Sequence, residues 1–149
     1  MEKDIARIII DEAQIQKKLL ELSKTLIRDY KGKEWTIIAI LNGSLIFLAD
    51  LIRLIPFPIR LDTIDAATYG ESTFPQGETK VIRQFKIDIE QKHVLVIDDI
   101  VDTAGTLGKA SQLIMSKGAK SVRAFCTHPV LSGRAYERVE ESELTELVV

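Results

Sequence analysis

Val94-Leu95-Val96-Ile97-Asp98-Asp99-Ile100-Val101-Asp102-Thr103-Ala104-Gly105-Thr106-Leu107 is the stretch on which the fold turns. It opens as a continuous apolar run, the signature of a strand buried on both faces of a parallel sheet. Two adjacent carboxylates close the run, a third follows, and a short turn of Thr, Ala, Gly and Thr leads into a helical pattern from Leu107. In an open α/β sheet, ligands bind at the carboxyl ends of the strands. A helix N-terminus with free backbone N–H groups is an anion site. The carboxylates suit ribose hydroxyls or a divalent cation, and the turn suits a phosphate. A sugar phosphate meets all of these requirements together.

Outward from that stretch, strand and helix patterns alternate. Ile5–Ile10 is apolar and β-branched and is expected to form a short edge strand or arm. Asp11 is placed to cap a helix carrying Ile15, Leu19, Leu22 and Leu26 at helical spacing, with a stop at Tyr30-Lys31-Gly32-Lys33. Trp35–Leu41 reads as a buried strand, Asn42-Gly43-Ser44 as a tight turn, and Leu45–Ile55 as an apolar helix halted by Pro56 and Pro58. Ile59–Thr68 and Lys80–Lys86 read as a strand pair joined by the loop Tyr69–Thr79. After the central stretch come a helix over Leu107–Ser116, a strand over Ser121–Thr127, a short helix from Ser132-Gly133 to about Glu141, and a strand over Leu144–Val149. This alternation predicts an α/β fold with a doubly wound, mainly parallel sheet.

The sequence has 149 residues, the length of one domain spanning 1–149. Its net charge of −2 gives no expectation of nucleic-acid binding. Cys126 stands alone, so no internal disulfide is open to it. No apolar run approaches the ~18 residues of a membrane span, and no signal-peptide pattern follows Met1. A cytoplasmic protein without membrane partners is the expectation.

The acidic strand end has two readings. Asp98 and Asp99 point to opposite faces of a strand, so one faces a ligand while the other supports it. Alternatively, Asp102, Thr103 and Thr106 only cap the following helix. Asn42-Gly43-Ser44 offers backbone N–H groups for a second anion at the same sheet edge, although any tight turn favours Asn and Gly. Tyr69–Thr79 is long enough for a lid and equally suits a plain hairpin loop. His128 leaves a strand at that edge, either as a base-contacting or acid/base group or as a bystander beside Pro129. His93 belongs at the opposite end, and Cys126 reads as an inert core thiol. No kinase-type phosphate loop, dinucleotide GxGxxG, CxxC or metal-binding His pair is present.

Val96–Leu107 resembles the ribose-phosphate motif of type I phosphoribosyltransferases. The resemblance implies that Asp98 and Asp99 hold the ribose hydroxyls of phosphoribosyl pyrophosphate and stand as metal residues for Mg²⁺. It implies that Thr103, Ala104, Gly105 and Thr106 hold the 5-phosphate, and that Asp102 serves as general acid/base at the purine N7. Asp29–Lys33, Ile40–Leu51 and Tyr69–Thr73 are similar to hypoxanthine(-guanine) phosphoribosyltransferases. There, Leu41, Asn42, Gly43 and Ser44 correspond to a pyrophosphate-binding turn, and Tyr69 and Gly70 to a flexible lid. Residues from about 102, including Ile114–Val122 and Cys126–Gly133, resemble the C-terminal domain of ribose-phosphate pyrophosphokinase. The chain thus reads as a chimera of two related families. It differs from purine transferases in three respects: His128 stands near the usual purine-contacting Lys, Asn42 where many members have Lys, and a C-terminal hood is lacking. Family members are often dimers or larger, which makes a homo-oligomer an expectation.

Overall fold

In the computed structural model, which describes residues 7–68, 79–83 and 85–149, the chain forms one six-stranded sheet flanked by helices. The elements run α1 (Glu12–Tyr30), β1 (Trp35–Leu41), α2 (Leu45–Ile52), β2 (Arg60–Thr68), β3 (Thr79–Arg83), β4 (His93–Val101), α3 (Gly105–Ser116), β5 (Ser121–Pro129), α4 (Ala135–Glu140) and β6 (Leu144–Val148). The strand order is β3-β2-β1-β4-β5-β6. All neighbours pair in parallel except β2 with β3, which is antiparallel, as a hairpin strand must be. The doubly wound, mainly parallel sheet expected from the alternation is the observed one.

The central strands are apolar at consecutive positions because both faces of the sheet are covered. Ile38, Ile40, Val94, Val96, Val122 and Ala124 pack in a cluster with Leu107, Ala110 and Ile114 of α3. Ile37, Ala39, Leu95, Ile97 and Phe125 pack on the other face with Leu19 and Leu26 of α1 and Leu48 and Leu51 of α2. Successive side chains of one strand therefore feed two cores. Each full burial of such a side chain contributes roughly 1.5–3 kcal/mol.

α1 begins as its sequence predicts. Asp11 accepts the Gln14 N–H and the Gln14 side chain accepts the Asp11 N–H, each at 2.8 Å, closing a capping box. Its far end is tied to the sheet by Arg123, which bonds Asp29 at 2.9 Å and also Glu146 of β6. Three local expectations are corrected. Residues 7–10 are not a strand, and Ile8, Ile9 and Ile10 are exposed: β-branching without a neighbouring strand to pair with does not make a sheet. α2 ends at Ile52, three residues short of the expected Ile55, and a turn closed by Leu54 and Ile55 N–H groups then buries Ile55. β3 stops at Arg83, and the segment beyond the strand is held by the Asp62 carboxylate, which accepts the N–H groups of Lys86 and Ile87. Among the described residues, no helix is long and apolar enough to cross a membrane.

Thr36 is fully buried in β1, and its hydroxyl has no hydrogen-bond partner among the described residues. An unpaired buried hydroxyl costs free energy that an isosteric methyl does not. Thr36→Val is therefore expected to raise the unfolding free energy by about 1 kcal/mol. Urea denaturation checks this, and a loss of stability would show that the hydroxyl is satisfied.

Candidate functional site

β1 and β4 lie side by side in the sheet, with Ile38 opposite Val96 and Ala39 opposite Ile97. Their carboxyl ends thus bring the Asn42-Gly43-Ser44 turn next to Asp98 and Asp99. β4 continues through both acids to Val101, so they point to opposite faces. Asp98 is buried at 4% exposure, and its Oδ1 accepts the N–H of Asp99 at 2.9 Å. Asp99 turns to the α2 side and fills the space beside Gly43. A Cβ on Gly43 would stand 1.6 Å from Asp99 Oδ2 and 2.2 Å from its Cγ. Glycine is required here for close approach of a carboxylate, since its φ is not in the left-handed region. The peptide joining Leu41 to Asn42 is cis. Ser44 is buried and its hydroxyl donates to the Ile40 carbonyl, which pins the turn to the strand that precedes it.

Burial, reinforced by the neighbouring Asp99, pushes the Asp98 carboxyl up to about 7. The buried Asp98 carboxyl therefore does not ionise as freely as an exposed one. A ligand hydroxyl or a cation brought to the pair relieves that penalty.

The next turn is organised differently from the capping alternative. Ala104 is left-handed at φ +60 and precedes α3, whose N-terminus has no side-chain cap. The backbone N–H groups of Thr103, Ala104, Gly105 and Thr106 make no hydrogen bond to a described residue. Asp102 and Thr103 are exposed, Gly105 and Thr106 half-buried. Unsatisfied N–H groups around a left-handed residue at a helix start form a concavity suited to an anion.

From the far side, β5 and the segment after it close on β4. The Thr127 hydroxyl donates to the Asp99 carbonyl at 2.7 Å, and His128 Nδ1 lies 3.3 Å from the same oxygen. Ser132 donates its hydroxyl to Asp102 Oδ1. Arg138 donates to the Thr103 carbonyl at 2.9 Å. Ile100 and Val130 are exposed apolar side chains on this side of the edge. None of Thr127, Ser132, Arg138, Ile100 or Val130 was singled out from sequence. The Ser132-Gly133 turn directly after a strand at this edge was the available signal for Ser132, and nothing local pointed to Arg138. Of the expected lid Tyr69–Thr79, residues 69–78, including Tyr69 and Gly70, lie outside the described residues, and Thr79 opens β3.

The structure thus gathers Leu41, Asn42, Gly43, Ser44, Asp98, Asp99, Asp102, the 103–106 turn and His128 along one sheet edge. His93 opens β4 at the opposite edge, where its Nδ1 meets Ser121 Oγ at 2.7 Å. A cleft of about 480 Å³ lies there too, lined by Tyr30, His93, Ser121 and Arg123. The Arg123 guanidinium is already held there by Asp29 and Glu146. Cys126 is buried and free.

The phosphoribosyl transferase domain family matches residues 8–147. The chain belongs to the phosphoribosyltransferase family. Within that family it is similar to the hypoxanthine-guanine phosphoribosyltransferase of Bacillus subtilis, at 36% identity over 134 residues covering 90% of this chain and 74% of the relative. It is 33% identical to the bifunctional protein TilS/HprT of Listeria monocytogenes over 92% of this chain, and spans only 21% of that longer protein. A hypoxanthine-guanine phosphoribosyltransferase structure from Bacillus anthracis superposes with a TM-score of 0.73 at 34% identity, covering 82% of this chain and 72% of that one. A hypoxanthine phosphoribosyltransferase structure from Staphylococcus aureus covers 99% of this chain and 80% of its own, with a TM-score of 0.76 at 28% identity.

Two predictions follow from the acid pair. Asp98 holds its proton more tightly in the folded chain, so its contribution to stability is full below about 3.8 and is lost as pH rises through about 7. Asp98→Asn is expected to remove that component from the stability–pH curve; an unchanged slope in urea titrations across this range would refute the burial argument. Gly43→Ala should force Asp99 aside. Stability losses from Gly43→Ala and Asp99→Ala are then non-additive, the double variant losing less than the sum by about 0.5–3 kcal/mol. Simple additivity would mean that the two groups do not meet.

Proposed function

We propose that the chain transfers the phosphoribosyl group of phosphoribosyl pyrophosphate to a purine base, hypoxanthine or guanine, with release of pyrophosphate. The observation that carries this reading is the placement of an acid pair between two anion-binding turns on one sheet edge. A ribose carrying phosphates at both ends matches that spacing of charge. The named relatives act in the same reaction class.

In this reading the Thr103–Thr106 turn holds the 5-phosphate through its free N–H groups and the dipole of α3. Asp99 and Asp98 receive the ribose hydroxyls, Asp99 directly and Asp98 from beneath. The N–H groups of the Leu41–Ser44 turn face the pyrophosphate. As the bond to pyrophosphate breaks, positive charge develops on the ribose and negative charge on the leaving group. Fixed N–H dipoles at the leaving oxygens stabilise that separation without reorganising. Asp102, exposed beside the ribose site, is placed to manage the purine N7 proton. Tyr69 and Gly70 would close over the pyrophosphate, and His128 would border the base.

Mg²⁺ fits the donor chemistry of this edge. Asp99 offers a hard oxygen donor beside an open turn and Asp98 a second beneath it. Mg²⁺ is commonly held by one or two carboxylates together with substrate phosphates and water. Among the described residues there is no group of three or more potential metal ligands, so substrate oxygens would complete its shell. When bound it would neutralise pyrophosphate charge. A single domain over residues 1–149, a cytoplasmic setting and a homo-oligomer go with this reading. So does the splice: residues up to about 101 follow the purine-transferase pattern and those from about 102 the pyrophosphokinase pattern.

A second reading is a binder of ribose 5-phosphate, phosphoribosyl pyrophosphate or a nucleotide that does not turn it over. The base side favours it, because His128 stands near the usual Lys and its Nδ1 is occupied by Thr127 at 2.8 Å.

Incubation with phosphoribosyl pyrophosphate, Mg²⁺ and hypoxanthine or guanine is expected to yield the nucleotide and pyrophosphate. Asp102→Asn should lower kcat by about 10²-fold or more, with KM for phosphoribosyl pyrophosphate nearly unchanged. No nucleotide at high enzyme concentration would sink the transferase reading, and calorimetric binding of phosphoribosyl pyrophosphate would then select the binder.

A further inference from the structure

The end of β4 and the entry to the phosphate turn, Asp99 to Thr103, are gripped from behind. The carbonyl of Asp99 accepts from Thr127, that of Val101 from the Leu131 N–H at 3.0 Å, that of Asp102 from the Ser132 N–H at 2.9 Å, and that of Thr103 from Arg138 at 2.9 Å. The Asp102 carboxylate accepts the Ser132 hydroxyl as well. All five donors come from one segment, residues 127–138, which leaves β5 and runs into α4. That segment is itself anchored: Ala135 is fully buried, and Leu131 and Val139 pack against the α3-side core.

A trans peptide unit points its C=O and its N–H in opposite directions. With the carbonyls of Asp102 and Thr103 tied to the segment behind, the N–H groups of Thr103 and Ala104 must face away from it, toward the open edge. These are among the N–H groups that make no hydrogen bond to a described residue. The turn also carries a left-handed alanine, a conformation that is costly for a non-glycine residue. Such a turn persists where its surroundings over-determine it.

We infer that residues 127–138 form a strap that aims the Thr103 and Ala104 N–H groups of the Thr103–Thr106 turn at a ligand phosphate, with Ser132 and Arg138 as positioning residues. The inference rests on the reading of that turn as the 5-phosphate site. Neither side chain needs to touch the ligand. Arg138 acts through the Thr103 carbonyl, whereas the neighbouring Arg134 is directed to Glu137 and Glu141, at 3.6 and 3.7 Å. Ser132 acts through Asp102 and ties the acid/base candidate to the same strap.

Calorimetry on the full chain with ribose 5-phosphate tests this. Arg138→Met should weaken binding about tenfold, and Arg138→Lys should recover most of the loss by restoring a donor. Ser132→Ala should weaken binding in the same direction, and Ser132→Thr should match the unmodified chain. Pyrophosphate with Mg²⁺, which addresses the Asn42–Ser44 turn, should bind all variants alike. The salt dependence of ribose 5-phosphate binding should be unchanged in Arg138→Met, because a direct phosphate contact would lower its slope. Equal binding by Arg138→Met, an equal loss toward pyrophosphate, or a reduced salt slope would each overturn the strap. If Arg138→Met does not fold, the Ser132→Ala and Ser132→Thr pair decides. An unmodified chain that binds ribose 5-phosphate but forms no nucleotide would leave the strap standing and remove the transferase reading. One that fails to bind ribose 5-phosphate would remove both.

Discussion

A parallel sheet covered on both faces has nowhere inside it for a charge. β4 lies between β1 and β5 and must stay apolar on consecutive residues for as long as both neighbours and both helix layers accompany it. The first position where that constraint relaxes is the carboxyl end, and there the chain places Asp98, Asp99 and Asp102 in quick succession. The rest of the site follows from this boundary. The turns leaving β1 and β4 start helices there, and helix starts expose N–H groups. Acids and anion-binding turns therefore meet on one edge as a consequence of how the sheet is buried.

The two acids of the pair are unequal because they face opposite ways. Asp98 points to the α3 side, where burial favours its neutral form. Asp99 points to the α2 side and takes the space that glycine leaves at position 43. Burial and close approach thus divide two identical residues into a support and a contact. The glycine matters because it lacks a side chain, which lets a turn from one strand lie against a carboxylate from the next.

Much of this was legible in the sequence. Apolar runs marked β1 and β4, since a strand buried on two faces has no alternation to obscure it, and β5 stood out despite Arg123. The Asp11 cap and the Asn42-Gly43-Ser44 turn were legible because their chemistry is local. What was not legible depends on distance in sequence. Ile8–Ile10 looked like a strand, but a strand exists only where a partner lies alongside. Leu45–Ile55 was read as one helix, but the burial of Ile55 is decided by packing. Thr103 and Thr106 suited helix caps by type, yet α3 starts without a side-chain cap, and the carbonyls of Asp102 and Thr103 are held by the Ser132 N–H and by Arg138 from thirty or more residues away. No local pattern carries that information.

The contact between Gly43 and Asp99 also bears on how the chain reaches its fold. It joins the ends of two strands that are far apart in sequence, and it forms only if β1 and β4 pair in the observed register. A slip by one residue would send the acids to the wrong faces and leave the turn facing an apolar side chain. A ligand bridging both turns would therefore bind only the correctly registered sheet. Its binding free energy would add directly to that of folding, by about 2.7 kcal/mol at a hundredfold excess over Kd. Such a ligand would thus act as a check on strand alignment, rewarding the one pairing in which both halves of the edge coincide.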